Sequence, residues 1–206
     1  MTFPDKRYED IAGFADDYFA HYGQAAASVS SESLARAADV LKSAYAGGAN
    51  VYACGNGGSA AISNHLLCDH VKCVRTDTGL MPRVVSLSAN LELITAIAND
   101  IAYDDVFVYQ LQPLGRAGDV LITISSSGDS ENVVRAIQWA RDNGLRTIAM
   151  TGFSGGRTAK LAEVSLHVDG DNYGVIEDVH QSLMHILAQY VRLSHMPDGL
   201  IRERKF

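Results

Sequence analysis

Hydrophobic residues recur every three or four positions in the first quarter of the chain, which is the pattern of amphipathic helices. The first such stripe runs over Lys6–Ala27 and is rich in Tyr and Phe. A second stripe follows, with Ser31 or Ser33 as its expected N-cap and Gly47-Gly48 at its end. Both helices precede the first strand. We therefore expect residues 1–48 to serve in packing or oligomerisation.

The rest of the chain alternates short apolar runs with segments of helical period. The predicted strands are Asn50–Cys54, Arg83–Ser88, Asp119–Ser125, Arg146–Thr151 and Val164–Val168. The predicted helices are Ser59–Lys72, Asn90–Ala98, Asp105–Leu114, Ser130–Asn143 and Val175–Leu193. Strands that alternate with helices build a parallel sheet covered on both faces. Residues 1–206 are thus predicted to form a single α/β domain, a parallel five-stranded sheet with helices on both faces plus the N-terminal helical pair.

Composition and charge narrow the choice of function. The 206 residues include 17 Lys and Arg against 24 Asp and Glu, a net charge of −7 that disfavours nucleic-acid binding. Apolar runs all fall short of the roughly 20 residues that span a bilayer, so no membrane role is expected. The start Met1–Asp5 has no basic or apolar signal region, and the three cysteines form no CxxC pair. We expect a cytoplasmic protein.

The first candidate loop follows the first predicted strand and reads Gly55-Asn56-Gly57-Gly58-Ser59, directly before a helix. Glycines let the backbone approach a ligand, and a helix N-terminus directs unpaired N–H groups towards it. The loop matches neither GxGxxG nor a P-loop, so no nucleotide cofactor is expected. On this evidence alone, a tight strand-to-helix turn explains the loop equally well.

The second candidate loop follows the clearest strand and reads Ser125-Ser126-Ser127-Gly128-Asp129-Ser130. Four hydroxyls around a glycine, at the positively polarised end of a helix, make an uncharged nest suited to a phosphate monoester. The alternative is a plain N-cap formed by Asp129 or Ser130. In a parallel sheet both loops lie beyond the carboxyl ends of strands, so we expect them to converge on one crevice.

These two loops, with Asn99-Asp100 between them and Asp119-Val120-Leu121 before the second, resemble the sugar isomerase (SIS) domain, a flavodoxin-like fold. The chain is more narrowly similar to the phosphoheptose isomerase group and to its non-catalytic relatives, which bind the bacterial replication initiator. The resemblance covers nearly the whole chain. It implies an aldose-ketose isomerase that converts sedoheptulose 7-phosphate to glycero-manno-heptose 7-phosphate through an enediol.

The resemblance also implies which residues form the site. The expected substrate-binding residues are Asn56, Gly57, Gly58, Ser59, Asn99, Asp100, Ser125, Ser126, Ser127, Ser130 and Glu177, with the serine loop taking the phosphate. Acid, base and metal ligands are implied to come from two helices, where spacings of four and eight residues place them on one face. The catalytic residues are then Asp69 and His185, and a Zn²⁺ ion would be held by His65, Asp69, Glu177 and His185.

Three residues depart from the pattern of the family. Asp69 stands where the family has Glu, Glu177 where it has Gln, and Gly174 where a substrate-contacting Asp is usual. A changed sugar preference or a loss of catalysis would each produce these departures. The alternatives are therefore a non-catalytic protein that binds a phosphosugar or the replication initiator, and an isomerase for another phosphosugar of surface polysaccharide synthesis.

Three expectations concern packing. The resemblance implies a homotetramer with its sites at subunit interfaces, and the aromatic N-terminal helices suit that role. His180 lies one turn after Glu177, so it is either a core residue or a neighbour of the site. Cys54 and Cys68 are expected to pack as small apolar groups.

Overall fold

A five-stranded sheet forms the centre of the computed structural model, which describes residues 2–206. The strands are β1 (Asn50–Cys54), β2 (Arg83–Ser86), β3 (Val120–Ser125), β4 (Arg146–Thr151) and β5 (Val164–His167). They lie in the order β2-β1-β3-β4-β5, and every neighbouring pair is parallel. The prediction of a parallel five-stranded sheet is therefore confirmed.

Helices cover both faces of this sheet. They are α1 (Ile11–Ala27), α2 (Ser31–Gly47), α3 (Gly58–Cys68), α4 (Leu91–Asp100), α5 (Val108–Leu114), α6 (Glu131–Asp142), α7 (Gly156–Leu161), α8 (Tyr173–Leu193) and α9 (Asp198–Ile201). Within the described range, none of them combines the length and the apolar composition needed to cross a bilayer.

The buried strand β3 shows how the two layers of helices are held. Its residues alternate between two hydrophobic clusters, because successive side chains of a strand point to opposite faces. Val120, Ile122 and Ile124 pack with α2, α3 and α8, whereas Leu121 packs with α5 and α6. Both faces are thus buried, which is why this strand reads as a continuous apolar run.

The two N-terminal helices begin at different residues from those predicted. Helix α1 begins at Ile11 rather than Lys6, because the Asp10 carboxylate accepts a hydrogen bond from the Gly13 N–H and caps the helix there. The N-cap of α2 is Ser30, whose hydroxyl accepts from the Ser33 N–H at 3.2 Å. The prediction that Ser31 or Ser33 caps this helix is therefore wrong, because the cap lies one residue before Ser31.

The predicted helix Ser59–Lys72 consists of two parts in the structure. Regular α3 ends at Cys68, and residues Asp69–Val74 form a π-helical stretch. This stretch buries the His70 ring beneath α2, where its Nδ1 lies 2.5 Å from the Tyr45 hydroxyl. A pattern of hydrophobic residues read at the α-helical period does not reveal such a wider turn.

The N-terminal helices pack on α8 of the same chain. The Tyr18 hydroxyl donates to Asp178 at 2.6 Å, and the Tyr22 hydroxyl lies 2.8 Å from the Ser182 hydroxyl. Phe19 stays 68% exposed and Ile11 79% exposed. The aromatic residues of α1 therefore serve the fold of this chain, while part of the helix keeps an apolar outer surface.

The two cysteines near the first turn have different environments. Cys54 is fully buried, as predicted, and burial raises the pKa of its thiol to about 12. Cys68 is exposed at the end of α3. The expectation that it packs as a small apolar group is wrong, because its position falls on the outer side of the helix.

His180 is a core residue in this structure. Its ring is fully buried on α8, and neither ring nitrogen has a hydrogen-bond partner among residues 2–206. Burial lowers the pKa of this imidazole to about 4, because the charged form loses its hydration. The folded protein therefore holds His180 neutral.

This burial generates a pH dependence of stability. The pKa of His180 in the folded protein lies below the ordinary 6.5. Its contribution to the free energy of unfolding is therefore fully present above pH 6.5 and is lost as the pH falls towards 4. We expect the free energy of unfolding, measured with urea, to fall between pH 7.5 and pH 5. This fall is expected to be about 2 kcal/mol larger in the native protein than in His180→Leu. Equal losses in the two proteins would contradict the assignment.

Candidate active site

The two candidate loops meet at the carboxyl ends of the neighbouring strands β1 and β3. A Cβ atom on Gly55 would lie 2.7 Å from the Ile124 carbonyl oxygen, so the first turn approaches β3 more closely than any side chain allows. The Gly55 N–H and C=O also bond to the Ser88 hydroxyl, at 3.1 and 2.8 Å. The structure therefore brings the glycine turn and the serine loop together at one edge of the sheet.

The glycine turn continues directly into α3. Gly57 precedes the helix with φ of 55°, and its position offers no side-chain cap. A Cβ on Gly58 would overlap the carboxylate of Glu177, which reaches across from α8. Burial, and then the charge of Asp178, raise the pKa of the Glu177 carboxyl above its ordinary value. Glu177 thus lies at the start of α3, beside the turn.

The serine loop forms a turn closed by its own hydroxyls. The Ser125 hydroxyl accepts from the Gly128 N–H at 3.2 Å, and the Ser127 hydroxyl accepts from the Asp129 N–H at 3.3 Å. Ser126 is buried, and its hydroxyl has no partner within the described part of the chain. A buried hydroxyl left in this state is costly unless a ligand or water completes it.

The helix after this loop begins without a side-chain cap. Ser130 stands at the N-cap position of α6, but its hydroxyl makes no capping hydrogen bond in the described structure. The N–H groups of the first turn of α6 are therefore not satisfied by the loop in the way a plain N-cap would satisfy them. Such a helix end attracts an anion.

A second glycine-rich segment, Gly152–Gly156, supports the serine loop from the side of β4, and the sequence analysis missed it. A Cβ on Gly128 would overlap the Gly155 carbonyl, and the Thr158 N–H donates to the Gly128 carbonyl at 2.9 Å. Three glycines in five residues directly after a strand were the available signal. Close backbone contact of this kind fixes the shape of the serine loop.

Arginine side chains near the serine loop are engaged with carboxylates. Arg157 bonds to Asp129 and to Glu131, at 2.5 and 2.8 Å, and these hydrogen bonds lower the pKa of both carboxyl groups. Arg135 bonds to the other oxygen of Glu131 at 3.0 Å. Both arginine side chains that flank the loop are therefore paired with carboxylates.

The expected pair Asn99 and Asp100 lies at the exposed end of α4, where the Asn99 amide donates to the Asp100 carboxylate at 2.7 Å. Neither side chain bonds to the two loops in the described structure. Tyr103, three residues after Asp100, does bond to the glycine turn, because its hydroxyl donates to the Asn56 amide oxygen at 3.0 Å. Tyr103 therefore contacts the glycine turn, and this residue was not predicted from the sequence.

Three of the four expected metal ligands form one cluster. His65 Nε2 lies 3.4 Å from one oxygen of Asp69, and His185 Nε2 lies 3.5 Å from the other. Donor atoms of the three residues all fall within 4.8 Å of one another. Ligands about 2.1 Å from a tetrahedral Zn²⁺ are separated by about 3.4 Å, so the donor set and its spacing fit this ion.

The fourth expected ligand, Glu177, lies apart from this cluster. It precedes His185 by eight residues on α8, a rise of about 12 Å, and its carboxylate reaches the turn at Gly58. Gln181 occupies the intervening turn, with Nε2 at 3.0 Å from His65 Nδ1 and 3.4 Å from His185 Nε2. The sequence analysis missed Gln181, although its spacing of four residues from His185 on one helical face was visible.

Gly174 has an aromatic neighbour in place of a side chain of its own. A Cβ at this position would lie 3.1 Å from the Tyr18 hydroxyl and 3.3 Å from the Asn172 amide oxygen. Tyr18 also donates to Asp178. The space beside Gly174 is therefore taken by Tyr18 of α1.

Comparison with known proteins places the chain in a family. The model of the SIS domain matches residues 17–152. The chain is 36% identical over 184 residues to the phosphoheptose isomerase of Akkermansia muciniphila. This match covers 88% of this chain and 92% of that enzyme. The chain is 41% identical over 134 residues to the phosphoheptose isomerase of Nitratidesulfovibrio vulgaris, covering 65% of this chain and 64% of that one.

A solved structure supports the same assignment. The phosphoheptose isomerase of Neisseria gonorrhoeae superposes with a TM-score of 0.80 at 32% identity, over 88% of this chain and 98% of that one. The residues matched by the SIS model include both loops and helix α3. The chain therefore belongs to the SIS domain family, within its phosphoheptose isomerase group.

Proposed function

We propose that this protein is a sugar-phosphate aldose-ketose isomerase that converts sedoheptulose 7-phosphate to glycero-manno-heptose 7-phosphate. The observation that carries the proposal is the pairing of a neutral anion nest with a separate His/Asp cluster. Helix α3 leads to the cluster from the glycine turn beside the nest, because His65 follows Gly58 after about 10 Å of helix. A substrate with phosphate on C7 and its carbonyl at C2 needs two such separated sites.

The serine loop is proposed to hold the phosphate. Ser126 supplies a buried hydroxyl without a partner, and the uncapped start of α6 supplies N–H groups. Ser125, Ser127 and Ser130 complete the nest, and the glycine turn lies beside it. Asn99 and Asp100, at the exposed end of α4, are proposed to reach the sugar hydroxyls.

Proton transfer is assigned to Asp69 and His185. One of them removes the proton from C1 of the ketose, while the electron pair of that C–H bond forms the C1=C2 bond of the enediol and the C2 oxygen takes up a proton. The O1 hydroxyl then loses its proton, C1 becomes the aldehyde carbon, and C2 receives a proton. A carboxylate and an imidazole in contact can divide these steps between them.

A Zn²⁺ ion is proposed to bind to His65, Asp69 and His185, with Glu177 as the fourth residue if its carboxylate leaves Gly58. When bound, the ion supplies Lewis-acid stabilisation of negative charge on a substrate oxygen. Gln181 contacts both histidine rings and orients them.

A homotetramer with sites at subunit interfaces is proposed for the assembly. The support is apolar surface on the N-terminal helices and on α8. The exposed residues concerned are Ile11, Phe19, Ile186, Tyr190 and Leu193. Light scattering at micromolar concentration is then expected to give four times the chain mass of 22.2 kDa. A mass equal to one chain would contradict this assembly.

The proposed reaction is tested with purified protein and sedoheptulose 7-phosphate, with Zn²⁺ added or removed by a chelator. We expect formation of the aldose phosphate. No turnover of a broad panel of ketose and aldose phosphates, with metal supplied, would contradict an isomerase. Binding without turnover would favour a phosphosugar-binding protein, and turnover of another member of the panel would favour a different sugar.

Substitution of the clustered residues tests their roles. In Asp69→Asn and His185→Ala we expect kcat to fall by about a hundredfold to ten-thousandfold, with a smaller change in KM, because proton transfer is lost while the phosphate nest is intact. His195→Ala is the matched control, since the hydrogen bond of that ring in the described structure goes to the Val191 carbonyl of α8, away from the cluster. An unchanged kcat in either cluster variant would remove that residue from the mechanism.

Two serines allow a matched test of the phosphate nest. Ser126 and Ser165 both carry buried hydroxyls without partners, but Ser165 lies on β5, away from the serine loop. We expect Ser126→Ala to weaken the binding of sedoheptulose 7-phosphate, measured by calorimetry, by about fivefold. Ser165→Ala is expected to leave it unchanged. Equal effects of the two variants would show that the loop hydroxyl does not contact the ligand.

A further inference from the structure

The side-chain amide of Asn56 is almost fully committed within the protein. Its Nδ2 donates to Asn132 Oδ1 at 2.9 Å, and Asn132 Nδ2 donates back to Asn56 Oδ1 at 3.0 Å. The Tyr103 hydroxyl donates to the same Asn56 oxygen at 3.0 Å. An amide oxygen accepts two hydrogen bonds and an amide nitrogen donates two. The oxygen of Asn56 is therefore saturated, and one N–H has no partner among the described residues.

Both partners are held in place by α6. Asn132 lies in the first turn of this helix and is only 1% exposed, so its amide has no room to turn away. Tyr103 belongs to the short 3₁₀ segment Tyr103–Asp105, which Arg135 of α6 fastens through Asp105 at 2.9 Å. The serine loop precedes α6, so the same helix that starts at the phosphate nest also orients the amide in the glycine turn.

The orientation of the Asn56 amide has a chemical consequence. The two amides form a reciprocal pair and the Tyr103 hydroxyl completes it, so these three contacts fix the plane and the position of the Asn56 amide. In the observed orientation Asn56 offers a ligand one N–H and no free acceptor. In this orientation the remaining N–H suits an oxygen that accepts: a carbonyl, a phosphate or an enediolate oxygen.

We propose that Asn132 and Tyr103 are positioning residues that hold the Asn56 amide in place for a hydrogen bond to an oxygen of the sugar phosphate. This inference rests on the proposed isomerase function and deepens it, because it assigns two residues outside the substrate contacts to the site. Asn132 acts from the protein interior. Tyr103 is 54% exposed and acts from the rim of the crevice.

The test is a pair of double-mutant cycles on kcat/KM for sedoheptulose 7-phosphate. In the native background we expect Tyr103→Phe to lower kcat/KM by about fivefold and Asn132→Ala by about thirtyfold. In an Asn56→Ala background both effects are expected to fall below about twofold, because the group through which they act is absent. Tyr109→Phe is the control, a half-exposed tyrosine whose hydroxyl makes no hydrogen bond in the described structure.

The outcomes separate this inference from the proposed function. Losses of equal size in both backgrounds would overturn it, since a general structural role does not depend on Asn56. If Asn56→Ala is too slow to assay, the same double-mutant cycles are carried out with the dissociation constant of sedoheptulose 7-phosphate, measured by calorimetry. Tyr103→Phe keeps the test valid if Asn132→Ala does not fold, because Tyr103 lies at the surface. A native protein that neither binds nor converts the sugar phosphate contradicts the proposed function instead.

Discussion

The close approach of the Gly55 backbone to the Ile124 carbonyl is the contact on which the site depends. It joins the end of β1 to the end of β3 at a distance that excludes any Cβ atom, and it sets the glycine turn beside the serine loop. Asn56 can then reach Asn132 across the two loops. A side chain at position 55 would separate the strand ends and with them the two halves of the proposed binding surface.

The proposed phosphate recognition in this acidic chain depends on dipoles more than on net positive charge. The chain carries a charge of −7, and Arg157 and Arg135, which lie near the serine loop, are engaged with carboxylates. What remains for an anion is a set of hydroxyls and the N–H groups of an uncapped helix. The same helix holds Asn56 through Asn132, so the proposed anion binding and the proposed sugar recognition share one helix.

The sequence predicted the architecture because its signals are local. Continuous apolar runs such as Val120–Ile124 identified the strands, and both loops were visible as Gly- and Ser-rich breaks directly before helices. Contacts that depend on three-dimensional approach were not visible. Glu177 was expected at the metal cluster, yet its carboxylate lies against Gly58, where the absence of a side chain admits it. Gln181 and Tyr103 acquire their roles only from neighbours that are distant in sequence.

In the proposed mechanism, Asp69 and His185 move protons through an enediol at the end of the crevice remote from the phosphate nest. The most direct measurement follows the conversion of sedoheptulose 7-phosphate in D₂O by proton NMR. A base that exchanges with solvent places deuterium at C2 of the aldose phosphate, and we expect this product. A product that retains the C1 hydrogen of the ketose at C2, with no deuterium from solvent, would contradict it.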